Sequence, residues 1–236
     1  MTSNFLGDVG QDPARSLIIS YNEVLAREGQ NLQKGMTYRS GRDGKISVFV
    51  IFAGEDAPHK TVWNAESEIL TYEGHDVTTA GKEQRNIDQQ IMYEDGRPTD
   101  NGKFLKEATL YKDGAKHEPH QIQIYEKLDA AVFFDKGIFN LVDAKMESDP
   151  PAVDPGIRAG STRKVARFYL VAADALAGES AQERMIPIDA KVEVWGHDQG
   201  RCAECGEQSG LHFQFDPSGS YSLVCALHNK RKVSLL

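Results

Sequence analysis

The chain contains only three cysteines among its 236 residues, and all three lie near its C-terminus. An odd number of cysteines confined to one segment excludes a disulfide framework that spans the fold, and it fits a reducing compartment. Long apolar runs are also absent, since no stretch approaches the roughly 20 residues needed to cross a bilayer. The first residues, MTSNFLGDVG, contain no basic segment followed by an apolar one. We therefore expect a cytoplasmic protein with no membrane partner.

Basic residues are in the minority: 27 lysines and arginines stand against 35 aspartates and glutamates, which gives a formal net charge of -8. Such a balance, taken alone, opposes nonspecific binding to a phosphate backbone. The basic residues nevertheless cluster locally, at Arg39 to Lys45, at Lys82 to Arg85 and at Lys230 to Lys232. Each cluster is as consistent with a solvated surface as with a local nucleic-acid contact.

The three cysteines and one histidine form two pairs with the spacing of metal ligands, Cys202-Ala-Glu-Cys205 and Cys225-Ala-Leu-His228. Each pair aims two ligand atoms at one point, and the intervening loop brings the second pair opposite the first. The pattern predicts a structural zinc ion, because a closed shell of three thiolates and one imidazole leaves no position for a substrate. The alternative is three unrelated buried thiols and a surface histidine.

Hydrophobic periodicity predicts an amphipathic helix over residues 14 to 28, ended by Gly29, and a mostly β segment from Ile46 onwards. The predicted strands are Ser47 to Ala53, Glu68 to Tyr72, Gln121 to Glu126, Ala131 to Phe134, Phe139 to Ala144 and Val165 to Ala172. A helix is predicted at Asn86 to Tyr93, with a further turn at Phe104 to Glu107. Residues 149 to 162, rich in proline and glycine, predict a loop between two strands.

A shift to Ala, Gly and Ser after Ala173 predicts a linker. The chain is thus expected to contain an N-terminal helical extension (residues 1–34), a β-rich domain (35–173), a linker (174–185) and a C-terminal zinc unit (186–236). No internal repeat interrupts this plan.

Fragments of the β-rich domain occur in a recognisable order: Ser47 to Gly54, Thr71 to Gly74, Asp88-Gln89, Asn101, Phe134 to Phe139 and Arg167 to Leu170. Together they resemble the SRA (SET and RING associated) family, whose members bind DNA carrying 5-methylcytosine. The resemblance implies an α+β fold: a mostly β, PUA-like crescent barrel with flanking helices, here followed by a small zinc-bound ββα-like module. It also implies double-stranded DNA with methylated cytosine as the partner, read by flipping the modified base out of the duplex in a nucleoid-associated protein of the prokaryotic cytoplasm.

A reader of a flipped base needs flat aromatic faces to replace lost stacking, a polar group for the cytosine edge and an apolar recess for the methyl group. Tyr72 matches the second stacking aromatic of the family, and Trp63 lies in the segment of the first. The usual Tyr-Glu-Asp-Asp run is missing and a longer loop replaces it, so Asn64 or Glu66 is expected at the exocyclic amine. The predicted base-binding residues are Trp63, Asn64, Glu66, Tyr72 and Glu73.

The two aromatic residues have an ordinary alternative, since most aromatic side chains fill cores. The polar sequence Trp63-Asn-Ala-Glu66 favours the pocket, because it does not suit a strand buried on both sides. The segment from Val77 to Arg85 corresponds to the loop that fills the hole left by a flipped base, and it supplies cations for phosphate. The predicted DNA contacts are Arg39, Ser40, Arg42, Lys82, Gln84 and Arg85, whereas Asp88, Gln89 and Asn101 are expected to be structural.

The zinc unit, from Val192 to Lys232, resembles an HNH nuclease module. In active members a hairpin between the ligand pairs carries an Asp-His or His-His pair, and a later Asn or His completes a site for a divalent cation while the histidine activates water. Here Asp216 occupies the carboxylate position and Asn229 the last position, but Pro217 stands where the base should be. Proline has no titratable side chain, so the resemblance predicts a degenerate site.

His212 is the other histidine of the hairpin, four positions before Asp216. On an extended strand that spacing is about 13 Å at roughly 3.3 Å per residue, too far to share a water. We therefore treat His212, Asp216 and Asn229 as remnants, and the leading reading is a non-catalytic reader of methylated DNA. The alternative is a modification-dependent endonuclease that cuts methylated DNA with Mg or Mn. A third reading is a zinc-dependent protein-interaction module without a base pocket, although the sequence identifies no protein partner.

Overall fold

The computed structural model describes residues 16–30, 32, 35–41, 45–54, 57, 60–79, 82–84, 87–149, 162–173, 179–215 and 219–229. The helices are α1 (Tyr21–Glu28), α2 (Asp100–Lys112), α3 (Glu179–Met185) and α4 (Ile188–Asp198). The strands are β1 (Ile18–Ser20), β2 (Met36–Thr37), β3 (Ser47–Ile51), β4 (Thr61–Asn64), β5 (Ile69–Glu73), β6 (Val77–Thr79), β7 (Lys82–Gln84), β8 (His120–Asp129), β9 (Val132–Asp149), β10 (Arg163–Ala172), β11 (Leu211–Phe215) and β12 (Tyr221–Cys225). Across these ranges, no helix is both long and apolar enough to span a bilayer.

One sheet dominates the structure, with the strand order β2-β3-β8-β9-β10-β5-β4 and β1 paired to β9. Strands β3 and β8 are parallel, and the other pairs of this sheet are antiparallel. The expected mostly β, α+β class is confirmed in this coarse form. Because the order ends at β2 and β4, the sheet formed by the described strands is open, and the expected barrel closure is not observed.

The first predicted helix begins later than expected, at Tyr21 rather than near residue 14. The residues before it form β1, whose Ile18 and Ile19 pair with β9, because β-branched side chains suit a sheet edge better than a helix start. Ser20 then caps α1 in a reciprocal capping box with Glu23. The predicted end is confirmed, since Gly29 adopts a left-handed conformation with φ of 69°.

The helix predicted at Asn86 to Tyr93 is wrong: residues 87–99 are not helical, and an isolated bridge joins Met92 to Pro98. The helix starts only at α2, where the Thr99 side chain accepts a hydrogen bond from Gly102 N. The single turn expected at Phe104 is therefore part of a helix of 13 residues. Proline at position 98 disfavours a helical residue before it, which explains the late start.

Strand β9 unites two strands that were predicted separately. The pairing of β8 with β9 shifts between Ile124 and Tyr125, which face Gly137 and Asp135, so Lys136 is the extra residue of a bulge. Gly137 has φ of 98°, a conformation that glycine adopts without a steric penalty. The bulge buries the Lys136 side chain, which is 5% exposed.

Three apolar clusters lie on the main sheet, and one of them packs α1, through Val24, against β3, β8 and β9. Another packs α2, through Phe104 and Ala108, against strands that include β5 and β10. The third joins Phe134 of β9 to α4 and to the β11–β12 hairpin, so that the C-terminal unit packs directly on the sheet. Helix α3 lies within the predicted linker, residues 150–161 and 174–178 lie outside the described residues, and the domain boundaries stay a prediction.

Candidate functional site

The four predicted metal ligands converge in the C-terminal unit. Their ligand atoms all lie within 4.8 Å of one another. Cys205 Sγ and Cys225 Sγ are 3.8 Å apart, and His228 Nδ1 lies 3.6 Å from Cys202 Sγ and 3.3 Å from Cys225 Sγ. A tetrahedral zinc ion needs about 3.8 Å between two sulfur ligands and about 3.6 Å between sulfur and nitrogen. The donor set and its spacing therefore fit zinc.

Two tight turns hold these ligands. In the first, Gly206 N donates to the Cys202 carbonyl at 2.8 Å, and Gly206 has φ of 77°. In the second, His228 N and Asn229 N both donate to the Cys225 carbonyl at 2.9 Å. Burial raises the pKa of the Cys202 thiol, but backbone groups of Cys225 and Cys205 bring that pKa down to about 6. A thiol held in this way favours the thiolate that binds metal.

The nuclease-like remnants do not form a catalytic centre within the described residues. His212 is 3% exposed, and its Nδ1 lies 3.1 Å from Glu183 Oε1 of α3, so the imidazole belongs to the interface of α3 with the hairpin. Asn229 follows the second turn, and its Oδ1 is buried without a hydrogen-bond partner. Asp216, Pro217 and the basic residues 230–232 lie outside the described residues.

Tyr72 corrects the predicted pair of stacking aromatics. Its ring is 0% exposed, packs 4.3 Å from the Phe49 ring centroid, and belongs to the main core. The Tyr72 hydroxyl donates to the Val50 carbonyl at 3.2 Å. A ring enclosed on both faces offers no surface to a base, so the ordinary reading of this aromatic as core is the correct one for this structure.

Trp63 lies at the edge of the same core and is only partly buried. The Lys136 ammonium lies 5.9 Å from its ring centroid, within reach of a cation–π contact. The indole Nε1 is buried without a hydrogen-bond partner, and so is Oγ1 of Thr61, two residues earlier on β4. Buried polar atoms are rarely left unsatisfied, which makes this edge of β4 a candidate site.

Of the remaining predicted base-binding residues, Asn64 and Glu73 have partners within the fold, and Glu66 is exposed. Asn64 Oδ1 accepts from Glu66 N and Ser67 N at 3.0 Å and so shapes the β4–β5 turn, where Asn64 and Glu66 are exposed. Glu73 is 3% exposed and forms ion pairs with Arg163 at 2.7 Å and Arg167 at 3.2 Å. The Glu73 carboxylate is thus committed to neutralising two arginines of β10.

Gln89 and Asn101 confirm their expected structural roles. Gln89 Nε2 donates to the Gly74 carbonyl and to Asp76 Oδ1, each at 2.8 Å, while Gln89 Oε1 accepts from Ala166 N at 2.9 Å. Asn101 Oδ1 accepts from His75 N, and its Nδ2 donates to the His75 carbonyl, both at 2.9 Å. The short segment 74–76, which leads into β6, is therefore fixed from two sides.

The predicted DNA contacts are only partly among the described residues, and as a group they stay a prediction. Arg39 bonds Glu28 Oε2 at 2.6 Å and the Glu28 and Ile46 carbonyls, so its guanidinium is engaged within the fold. Ser40 is exposed. Lys82 and Gln84 lie on β7, which pairs only with β6 in a separate two-stranded sheet. Arg42 and Arg85 lie outside the described residues.

A serine, a histidine and a glutamate meet under α2 without forming a hydrolase site. His120 Nε2 lies 2.7 Å from Ser47 Oγ, but His120 Nδ1 is 3.9 Å from Glu107 Oε2, too far for a hydrogen bond. Ser47 is 0% exposed and cannot meet a substrate. The group fastens β3 to β8 and α2.

The sequence did not reveal a buried charge cluster between the sheet and α4. Glu126 Oε1 accepts from Lys136 Nζ at 2.6 Å, and Glu126 Oε2 accepts from Lys191 Nζ. All three side chains are at most 5% exposed. One signal was present: Lys191 interrupts the apolar positions of α4, and a lysine there is rarely buried unless it is paired.

Comparisons with known proteins give similarities of low identity. No protein-family model and no curated protein matches the chain. It is similar to the SRA domain of SUVH5 bound to fully hydroxymethylated CG DNA, with 16% identity, a TM-score of 0.43, and coverage of 66% of this chain and 87% of that one. It is also similar to the DNA modification-dependent restriction endonuclease AspBHI, with 12% identity, a TM-score of 0.44, and coverage of 72% and 73%. At these values the similarities carry no further argument.

Proposed function

We propose that this chain binds double-stranded DNA containing a modified cytosine, with 5-methylcytosine as the expected modification, and does not cut it. The observation that carries the proposal is a hydrogen-bond network that joins the sequence fragments on which the resemblance to the SRA family rests, although they are far apart in the chain. Gly74, Gln89 and Ala166 are joined by hydrogen bonds, and Asn101 joins the same segment at His75. Fragments that were recognised by order alone are thus also spatial neighbours, as parts of one fold should be.

The base is proposed to meet Trp63 rather than a pair of aromatic rings. Trp63 combines a partly accessible ring with a buried Nε1 donor that has no hydrogen-bond partner. Thr61 Oγ1, on the same strand, is also buried without a hydrogen-bond partner. An extruded base would replace its lost stacking on the indole and could satisfy these atoms with its polar edge. Tyr72 takes no part in this proposal, because it fills the core.

The β6–β7 hairpin is proposed to contact the duplex. It forms its own two-stranded sheet, and its stem at residues 74–76 is fixed by Gln89 at Gly74, by Asn101 at His75 and by Arg163 at Asp76. A hairpin that is free of the main sheet but rigid at its stem can enter a groove without disturbing the core. Lys82 lies on this hairpin and would supply charge for phosphate.

The zinc unit is proposed to be structural. Its four ligands leave no open coordination position, and His212, the histidine of the hairpin, is buried against Glu183. A general base must reach water or substrate, which this burial prevents. A divalent cation such as Mg or Mn is needed only by the alternative endonuclease.

Matched duplexes that differ by one methyl group test the proposal by fluorescence anisotropy. We expect tighter binding of the methylated duplex and a steep loss of affinity with salt, because an acidic protein must rely on local phosphate contacts. Trp63→Ala should weaken binding by about 1 to 3 kcal/mol, roughly 5- to 150-fold. Val62→Ala is the matched control, since Val62 is the exposed neighbour on β4.

Equal affinity for the two duplexes would refute the proposal and favour a protein-interaction module. Incubation of methylated plasmid with Mg or Mn gives the second readout. Intact circles are expected, whereas linear product would favour the endonuclease.

A further inference from the structure

The segment from Arg184 to Lys191, which joins α3 to α4, lies beside Trp63. Ile188 packs against the same core cluster as Trp63. Lys136 lies between the segment and Trp63, because its Nζ donates to the Arg184 carbonyl at 2.7 Å and lies 5.9 Å from the Trp63 ring centroid. Lys136 thus links the segment to the indole.

A second contact holds this segment at the end of β3. The Asp189 carboxylate, in the first turn of α4, accepts a hydrogen bond from Gly54 N at 2.9 Å. Gly54 lies in the connection from β3 to β4, the strand of Trp63. The segment is therefore held through Lys136 of β9 and through the β3–β4 connection.

The charges under the segment do not balance. One carboxylate, Glu126, faces two ammonium groups, Lys136 and Lys191, and Lys191 is fully buried with its Nζ 3.5 Å from the Phe134 ring centroid. Burying two cations against one anion costs desolvation energy that a single shared partner does not fully return. Burial lowers the pKa of Lys191 to about 7, with Lys136 and Arg184 adding to the effect and Glu126 opposing it.

The closed arrangement also leaves hydrogen bonds unmade. Trp63 Nε1 and Thr61 Oγ1 are buried on β4 without partners. Each such atom costs free energy that is recovered when a polar group reaches it. Both the excess charge and the unsatisfied atoms therefore lower the free-energy cost of moving the segment away.

We propose that the Arg184–Lys191 segment is a removable cover over Trp63, and that its opening exposes Lys136 and Lys191 to the phosphates of a bound duplex. The inference rests on the proposed function, which supplies the anion. A chain with net charge -8 repels DNA overall, so cations released only in the open form let the duplex select that form.

Two substitutions should act in opposite directions. Glu126→Gln leaves both ammonium groups without their carboxylate, so it should favour the open cover. Lys191→Met keeps the Glu126–Lys136 pair and replaces a buried cation by an apolar chain of similar length, so it should favour the closed cover. Glu193→Gln is the matched control, because Glu193 is exposed on the same helix.

Acrylamide quenching of tryptophan fluorescence reads the cover directly. The chain has two tryptophans, so all variants carry Trp195→Phe and report on Trp63 alone. We expect stronger quenching in Glu126→Gln, weaker quenching in Lys191→Met and no change in Glu193→Gln. The apparent affinity for a methylated duplex should change by at least about threefold, tighter in the first variant and weaker in the second, because it scales with the open fraction.

A pH series covers the case in which Glu126→Gln does not fold. The pKa of Lys191 is about 7 when the cover is closed and near the ordinary lysine value of 10.5 when it is open, so the open form binds more protons between these values. Raising the pH from 7 to 9 should therefore weaken quenching of Trp63, and Lys191→Met should abolish this response. The groups that face Lys191 are Glu126 on β8, Lys136 on β9 and Arg184 on α3.

The outcomes separate the two proposals. Quenching that is unchanged by both Lys191→Met and pH overturns the cover. Quenching that responds as expected, with no preference of any variant for the methylated duplex, supports the cover and overturns the proposed function.

Discussion

The side chain of Gln89 replaces backbone pairing at the point where β5 ends. Strand β5 pairs with β10 up to Glu73 and Arg167, and Gly74 N still donates to the Ala166 carbonyl at 2.9 Å. The Gln89 amide then takes over, bonding the Gly74 carbonyl and Ala166 N. Gln89→Ala removes this bridge without touching the sheet itself.

The expected magnitude follows from the groups that lose a partner. The Gly74 carbonyl and the Ala166 N–H are both buried, and an unsatisfied buried polar group costs about 1 to 3 kcal/mol. The lost hydrogen bond to Asp76 adds little to this cost, because the Asp76 carboxylate keeps its ion pair with Arg163. We expect the free energy of unfolding to fall by about 2 to 6 kcal/mol, a large part of the roughly 5 to 15 kcal/mol typical of a folded protein.

Urea denaturation followed by circular dichroism measures this loss. Gln90→Ala is the control, because it removes the same side chain from the adjacent residue, which is exposed. Surface substitutions of this kind usually stay within about 0.5 kcal/mol. If Gln89→Ala behaves like Gln90→Ala, the bridge contributes no net stability and the argument about the 74–76 stem is wrong.

Two further predictions concern the metal and the pH. Cys202→Ser should abolish binding of one zinc ion per chain and remove hydrogen-exchange protection from the β11–β12 hairpin while β8 to β10 stay protected; retained stoichiometric zinc in metal analysis would contradict the site. Burial lowers the pKa of His120 below its usual 6.5, although Glu107 opposes this, so the unfolded state binds more protons below that pH. The contribution of His120 to the free energy of unfolding should not change with pH above pH 6.5, and it should decrease as the pH drops below that value. His120→Gln should reduce this decrease. The control His117→Gln, at an exposed histidine, should leave the loss of stability at low pH unchanged. Equal slopes of stability against pH in the two variants would show that His120 is not the cause.

Local patterns in the sequence determined the features that depend on near neighbours in the chain. The convergence of the four candidate metal ligands follows from two short spacings, because a single turn is enough to aim each pair at one point. Gly29 ends α1 as predicted, since a left-handed residue is a local requirement. Strands β3, β5, β8 and β10 were predicted to within a few residues. Strands β1, β2 and β4 were not predicted, and the bulge of β9 at Lys136 was read as a break.

Only the tertiary structure decided which side chains face the core. Tyr72 and Trp63 are both aromatic residues on adjacent strands, yet Tyr72 is enclosed and Trp63 lies at the edge, because the position of α2 and the strand order are set by distant segments. Residues 87–93 do not form the helix expected at Asn86 to Tyr93, and the Gln89 backbone N donates instead to the Lys164 carbonyl, far along the chain. The pairing of Glu126 with Lys136 and Lys191 spans 65 residues, and no local spacing encodes it. Burial of charge is a property of the assembled fold, so its cost and its consequences appear only when the helices pack on the sheet.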